Sequence, residues 1–229
     1  MEQKGLSNQL LNRLRAAVLG ANDGIVSTSS VVMGVAGATS EYGVILTAGL
    51  AALVAGALSM AVGEYVSVSS QSDAEKTYIE AERQKLQANP GGELKDLAQA
   101  YEALGVSPET ATKVAKELTE KDALKAHLRM HFNLDPDDVN SPIQAAIFSL
   151  VAFTAGGLIP FLAVVFAPES IRIPAIVIAV VFALIFTGYF SARAGDAAPG
   201  KAILRVVTGG LLAMIVTYYV GVLFGVTVG

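Results

Sequence analysis

The 229-residue chain has no cysteine and no tryptophan, and only 16% of its residues are charged. Without cysteine there is no disulfide framework, no thiolate metal site and no thiol nucleophile. A soluble globular domain carries about 25% charged residues, so side chains that clothe a wetted surface are scarce here. Net charge is -4, and no basic tract runs long enough to track a phosphate backbone, which argues against nucleic acid as a partner. Apolar residues, by contrast, make up 53% of the chain, and its mean hydropathy is +0.54. That content excludes disorder. It describes an integral membrane protein with one water-soluble insert.

A helix needs about 20 largely apolar residues to cross a hydrocarbon layer roughly 30 Å thick. Five segments qualify, near 15–38, 42–66, 142–166, 171–192 and 202–228. The first is no cleaved signal peptide, because the apolar run is too long and contains Asn22 and Asp23. Ser141-Pro142 reads as an N-cap with proline at the first helical position, and Pro160 is expected to kink the third span. Lys4, Arg13 and Arg15 precede span 1, nine Lys/Arg lie between spans 2 and 3, and Arg193, Lys201 and Arg205 lie between spans 4 and 5. The alternate connections hold only Arg172. By the positive-inside rule the N-terminus and the insert are expected in the cytoplasm and the C-terminus outside.

Residues 67–140 change character. Fourteen of the twenty acidic residues lie here, Asp138 at the edge among them, with both histidines of the chain. Three helices are expected. The first, about 69–88, continues span 2 because no breaker separates them, and Asn89-Pro90-Gly91-Gly92 ends it. The second covers about 93–104 and is closed by Gly105. The third starts at Ser107-Pro108-Glu109 and runs to about Phe132. Glu75 with Glu82, Glu93 with Asp96, and Glu117 with Glu120 each share a helix face and could offer two oxygens to one cation. Interspersed lysines make a merely solvated face the commoner outcome of such patterns. His127 and His131, at i and i+4 with Met130 beside them, bring two imidazoles onto one face.

Within the apolar spans Asp23 demands a reason. A carboxylate near a span centre costs about 2.5–3.5 kcal/mol on insertion scales, so it should face a cavity, a partner or an ion. Ser27 and Ser30 follow it at i+4 and i+7. Span 2 supplies Met60 and Glu64 at i and i+4, with Ala52 and Gly56 extending that face as a small-residue approach surface. A methionine is more often packing than ligand, and a glutamate at the membrane boundary needs no function. Carboxylates beside a thioether nevertheless suit a borderline transition metal better than Mg²⁺ or Ca²⁺.

Two longer segments carry a resemblance. Ala21-Asn22-Asp23-Gly24-Ile25-Val26-Ser27-Thr28 and Ser59-Met60-Ala61-Val62-Gly63-Glu64-Tyr65-Val66-Ser67-Val68 resemble the two signature segments of the vacuolar iron transporter family, which includes bacterial members, and a bacterial member is expected. The likeness extends over the spans, the insert and Gly156-Gly157-Leu158-Ile159-Pro160. It implies an all-α membrane protein divided as 1–66 (N-terminal segment and spans 1 and 2), 67–140 (cytoplasmic helical metal-binding domain) and 141–229 (spans 3 to 5). It also implies a homodimer that moves Fe²⁺, with Mn²⁺ a further candidate, out of the cytoplasm against protons, without a prosthetic group. Asp23 and Met60 match the family's membrane metal site and Glu64 its second signature. Glu82, Glu93 and Asp96 fall where the family places insert carboxylates. Lys85 stands where another glutamate is expected. Arg129-Met130-His131-Phe132-Asn133 replaces a stretch where the family often has methionine and glutamate, so His131 or Met130 stands in as ligand, or the soluble site is weakened. A bacterial plasma membrane is the expected location.

Other classes read less well. Ferritin-like di-iron sites use Glu-x-x-His on two helices, and the residues three before His127 and His131 are Leu124 and Leu128. No nucleophile, base and orienting group form a set, so an enzyme is not expected. A membrane-anchored metal sensor, or an iron-sequestering protein without transport, is the alternative.

Overall fold

The computed structural model describes residues 8–137, 141–195 and 197–228, and among these it is helical, with no strand. Seven helices follow in order: α1 (Asn8–Ala38), α2 (Tyr42–Ala88), α3 (Pro90–Ala103), α4 (Pro108–Phe132), α5 (Pro142–Phe166), α6 (Arg172–Ala194) and α7 (Pro199–Val228), with a 3-10 turn at Glu169–Ile171 before α6. Lys4 and Asp138 lie outside the described residues. The chain divides into two units, one holding the described residues up to Val66 and from Ile143 onward, the other those between Ser67 and Pro142.

In the first unit five helical segments are long and apolar enough to cross a membrane, within α1, α2, α5, α6 and α7. Many of their large apolar side chains point outward, among them Leu58, Val62, Phe182, Phe186, Leu212 and Leu223. An outward apolar surface of that extent suits lipid rather than water. The interior is built from Ile25, Val32, Met33, Ile45, Val164, Ile176, Val180, Leu184 and Met214, with α1 packed on α6 and α7 and those two on each other. A second cluster of Leu53, Ala57 and Phe153 joins α2 to α5.

Small residues let backbones meet. A Cβ on Gly24 would lie 2.1 Å from the Phe153 carbonyl oxygen, and one on Gly156 2.1 Å from that of Ala21. The main chains of α1 and α5 therefore touch beside Asp23. Helix α5 runs unbroken across the buried Pro160.

In the second unit α3 packs on α4 through Leu97, Ala98, Ala115 and Ala126. Two boundaries differ from expectation. Helix α3 begins at Pro90 rather than near Glu93, because the Asn89 side chain accepts a hydrogen bond from the Gly92 N–H (3.0 Å) and Pro90 sits where no N–H is needed. The Asn-Pro-Gly-Gly run thus ends one helix and caps the next. Within α4, Asp122 is extended (φ -166°, ψ 94°) and its Oδ1 accepts from the Lys125 N–H at 2.9 Å. It is an N-cap that restarts the helix carrying both histidines. Asn133, left-handed at φ 51°, ends that helix. Beyond it Asp135 accepts from Arg129 and pairs with Lys125 at 2.9 Å, and Asp137 also pairs with Lys125.

Candidate metal centres

The first centre lies in the apolar unit. Asp23 on α1 and Met60 and Glu64 on α2 line one groove with Leu19, Ser27, Ser59 and Phe153. Its volume is about 430 Å³, against the roughly 10–15 Å³ of such space that one water requires, so a divalent ion fits with part of its hydration shell. Helical spacing explains the gathering. Asp23 and Ser27 share one face of α1, while Ala52, Gly56, Met60 and Glu64 stack along one face of α2. The missing side chain of Gly56 leaves room for Phe153, whose ring a Cβ there would meet at 2.2 Å.

Asp23 is exposed on the single chain, and Glu64 and Met60 are half-buried. Met60 lines the groove and also packs on the Leu53, Ala57 and Phe153 cluster. The Ser27 hydroxyl donates to the Asp23 backbone carbonyl at 2.5 Å, leaving its oxygen as an acceptor. Ser30 departs from expectation. Its hydroxyl oxygen is buried without a hydrogen bond, and Val31, not Ser30, lines the groove.

The second centre lies in the unit between. Glu82, His127 and His131 bring ligand atoms within 4.8 Å of one another, and Glu93, Asp96 and His127 do the same. His127 belongs to both groups. It is fully buried, with Nδ1 3.0 Å from Glu82 Oε1 and 3.8 Å from Glu93 Oε2, yet neither ring nitrogen makes a hydrogen bond. Glu82 is buried as well, its other oxygen accepting from Lys85 Nζ at 3.2 Å. His131 Nε2 stands 3.1 Å from Asp96 Oδ2, and the two imidazoles lie 5.5 Å apart. Burying a carboxylate beside an imidazole is costly unless each finds a partner, so the arrangement fits a cation.

Three helices supply this set: α2 gives Glu82, α3 gives Glu93 and Asp96, and α4 gives the histidines. Met130 does not join them. It packs on the apolar contact of α3 with α4, beside Leu97 and Ala126, because that face of the helix meets α3. His127 is the residue that sequence reasoning underweighted, although its i, i+4 relation to His131 was the available signal. Glu75 bonds Gln71 instead, and Glu117 and Glu120 fall outside both groups. Near the end of α4, hydrogen bonds from Lys125 and Arg129 hold the Asp135 carboxyl well below the ordinary carboxylate range, and Asp137 and Asp135 raise the Lys125 ammonium.

A model described as the VIT family matches residues 14–222. A protein named vacuolar iron transporter, from Acanthamoeba castellanii, is 44% identical over 211 residues, 92% of this chain and 78% of that protein. Vacuolar iron transporter homologs 4 and 3 of Arabidopsis thaliana are 39% and 40% identical over 206 residues, 90% of this chain and 80% of each. These relatives are eukaryotic, so the bacterial membership expected from the sequence draws no support from them. The match begins in α1, ends in α7 and takes in both centres. On that footing the protein is an integral membrane protein, and the chain belongs to the VIT family.

Proposed function

We propose that this protein moves Fe²⁺, or a related divalent ion such as Mn²⁺, out of the cytoplasm in exchange for protons, acting as a homodimer with five membrane spans. The observation that carries this reading is the groove that Asp23 lines together with Met60 and Glu64 amid apolar helices. A carboxylate in such surroundings is stabilised by a cation that neutralises it. The names of the relatives, vacuolar iron transporter and its homologs, point to iron as the cargo.

In this mechanism the acidic second unit, residues 67–140, collects metal by raising its local concentration. Glu82, Glu93, Asp96, His127 and His131 hold it there. Glu64 and Met60 receive it next, and Asp23 binds it at the intramembrane site. The groove is open on a single chain, and a second copy facing it would cover the carboxylate. Two apposed Asp23 carboxyls cannot both stay charged cheaply without a cation. Metal arrival therefore expels protons, and reprotonation from the acidic side releases the metal, which couples the two fluxes. With the N-terminus and insert cytoplasmic, the same vectorial step fills a vacuole or empties a cell, since both compartments lie across the membrane from the cytoplasm.

The test is metal uptake into proteoliposomes under an imposed pH gradient. Asp23→Asn, which keeps shape and removes charge, should abolish flux while the folded protein persists. Unchanged flux would overturn the role of that residue. Binding without flux in the native protein would favour the alternative, a sensor or sequestering protein, because the second unit holds a donor cluster of its own.

A further inference from the structure

Resting on the reading that the second unit binds metal, we propose that its site takes a single late first-row ion of the Zn²⁺, Co²⁺ or Ni²⁺ class through imidazole nitrogen. It would do so in preference to the hard ions Mg²⁺ and Ca²⁺, and of the two candidate cargoes it would hold Mn²⁺ more weakly than Fe²⁺.

His127 carries the argument. It is wholly buried, neither ring nitrogen makes a hydrogen bond, and Nδ1 stands 3.0 Å from Glu82 Oε1 and 3.8 Å from Glu93 Oε2. A buried polar group left unsatisfied costs about 1–3 kcal/mol, and a metal–nitrogen bond would remove that cost. His131, at the next turn, brings a second nitrogen to the same side. Two imidazoles with carboxylates suit zinc and its neighbours, whereas calcium and magnesium seek shells of oxygen.

Lys85 sharpens the choice. Its ammonium already lies 3.2 Å from the buried Glu82, occupying an oxygen that a hard ion would need. His127 sets the count: both donor groups share it, so an ion held by one group takes a ligand from the other. The soluble site therefore selects through nitrogen, while the groove at Asp23, Met60 and Glu64 offers carboxylate oxygen and a thioether and has no nitrogen ligand among its lining residues.

The experiment uses the full chain in detergent with Asp23→Asn, to silence the intramembrane carboxylate. Zinc X-ray absorption should show outer-shell scattering from imidazole at one ion per protomer. Competition should place Zn²⁺ above Mn²⁺ by on the order of 100-fold, in the sense of the Irving–Williams order. His131→Glu, at a partly exposed position, should weaken the imidazole signal and narrow the Zn²⁺ to Mn²⁺ ratio to about tenfold or less. Zinc bound through oxygen alone, or Mn²⁺ bound as tightly as Zn²⁺, would overturn the imidazole selection and leave the metal site standing. Failure to bind zinc, manganese or iron would overturn both.

Discussion

A single methyl group on Gly24 tests whether the contact of α1 with α5 positions the intramembrane site. A Cβ there would stand 2.1 Å from the Phe153 oxygen and 2.9 Å from the Gly157 nitrogen, where ordinary contact begins at 3.4 Å. Both obstacles are main-chain atoms, so neither can rotate away, and the helices must separate by at least the 1.3 Å between 2.1 and 3.4 Å to restore ordinary contact. Overpacking of this kind costs about 1–3 kcal/mol. Replacing glycine by alanine inside a helix returns roughly 1 kcal/mol. With rigid obstacles the cost falls near its upper limit, so the net loss is about 2 kcal/mol. For a chain of this size that corresponds to a fall in Tm of roughly 4–8 °C.

Gly209→Ala supplies the control, because nothing lies within 4 Å of a Cβ there, and it should leave Tm unchanged or slightly raised. Both variants are melted in detergent and then assayed for metal flux. Gly24 adjoins Asp23, so the displacement should lower flux further than the fraction of unfolded protein explains. A Gly24→Ala protein as stable as Gly209→Ala, or one with native flux, would refute the reasoning.

Asp122→Ala removes the N-cap of the helical segment bearing the histidines, and should cost about 0.5–2 kcal/mol. Titration of the variant should also show weaker zinc binding, because His127 and His131 lose their anchoring turn. Asp135→Asn should lower Tm at neutral pH, and the loss should shrink as salt is added. Since Lys125 and Arg129 depress the native carboxyl, its contribution is full above the unfolded value near 3.8 and vanishes as pH falls through the native one. Melting curves of variant and native protein should therefore converge in strong acid.

The apolar helices were legible in the sequence because length and composition alone determine what can cross a bilayer. The extension of α2 to Ala88 was legible for a related reason, as nothing between Val66 and Ala88 breaks a helix. Asp23, Met60 and Glu64 could be grouped by helical spacing and by the resemblance their segments carry. Asp122 could not be seen, since an aspartate among Lys121, Ala123 and Leu124 differs little from any exposed position until its side chain caps Lys125. Nor could spacing separate His127 from Met130, which stand one turn apart. The neighbour decides: Met130 meets the apolar face of α3, while His127 meets Glu82.

Phe153 sets the spacing of the walls of the groove at Asp23. Its carbonyl abuts Gly24 on α1 and its ring abuts Gly56 on α2, so one residue acts as a gauge block between the walls that carry Asp23 and Met60. Trimming the ring to leucine or alanine would let those walls draw together or leave a void. The dimensions of the groove are thereby tied to one benzyl group.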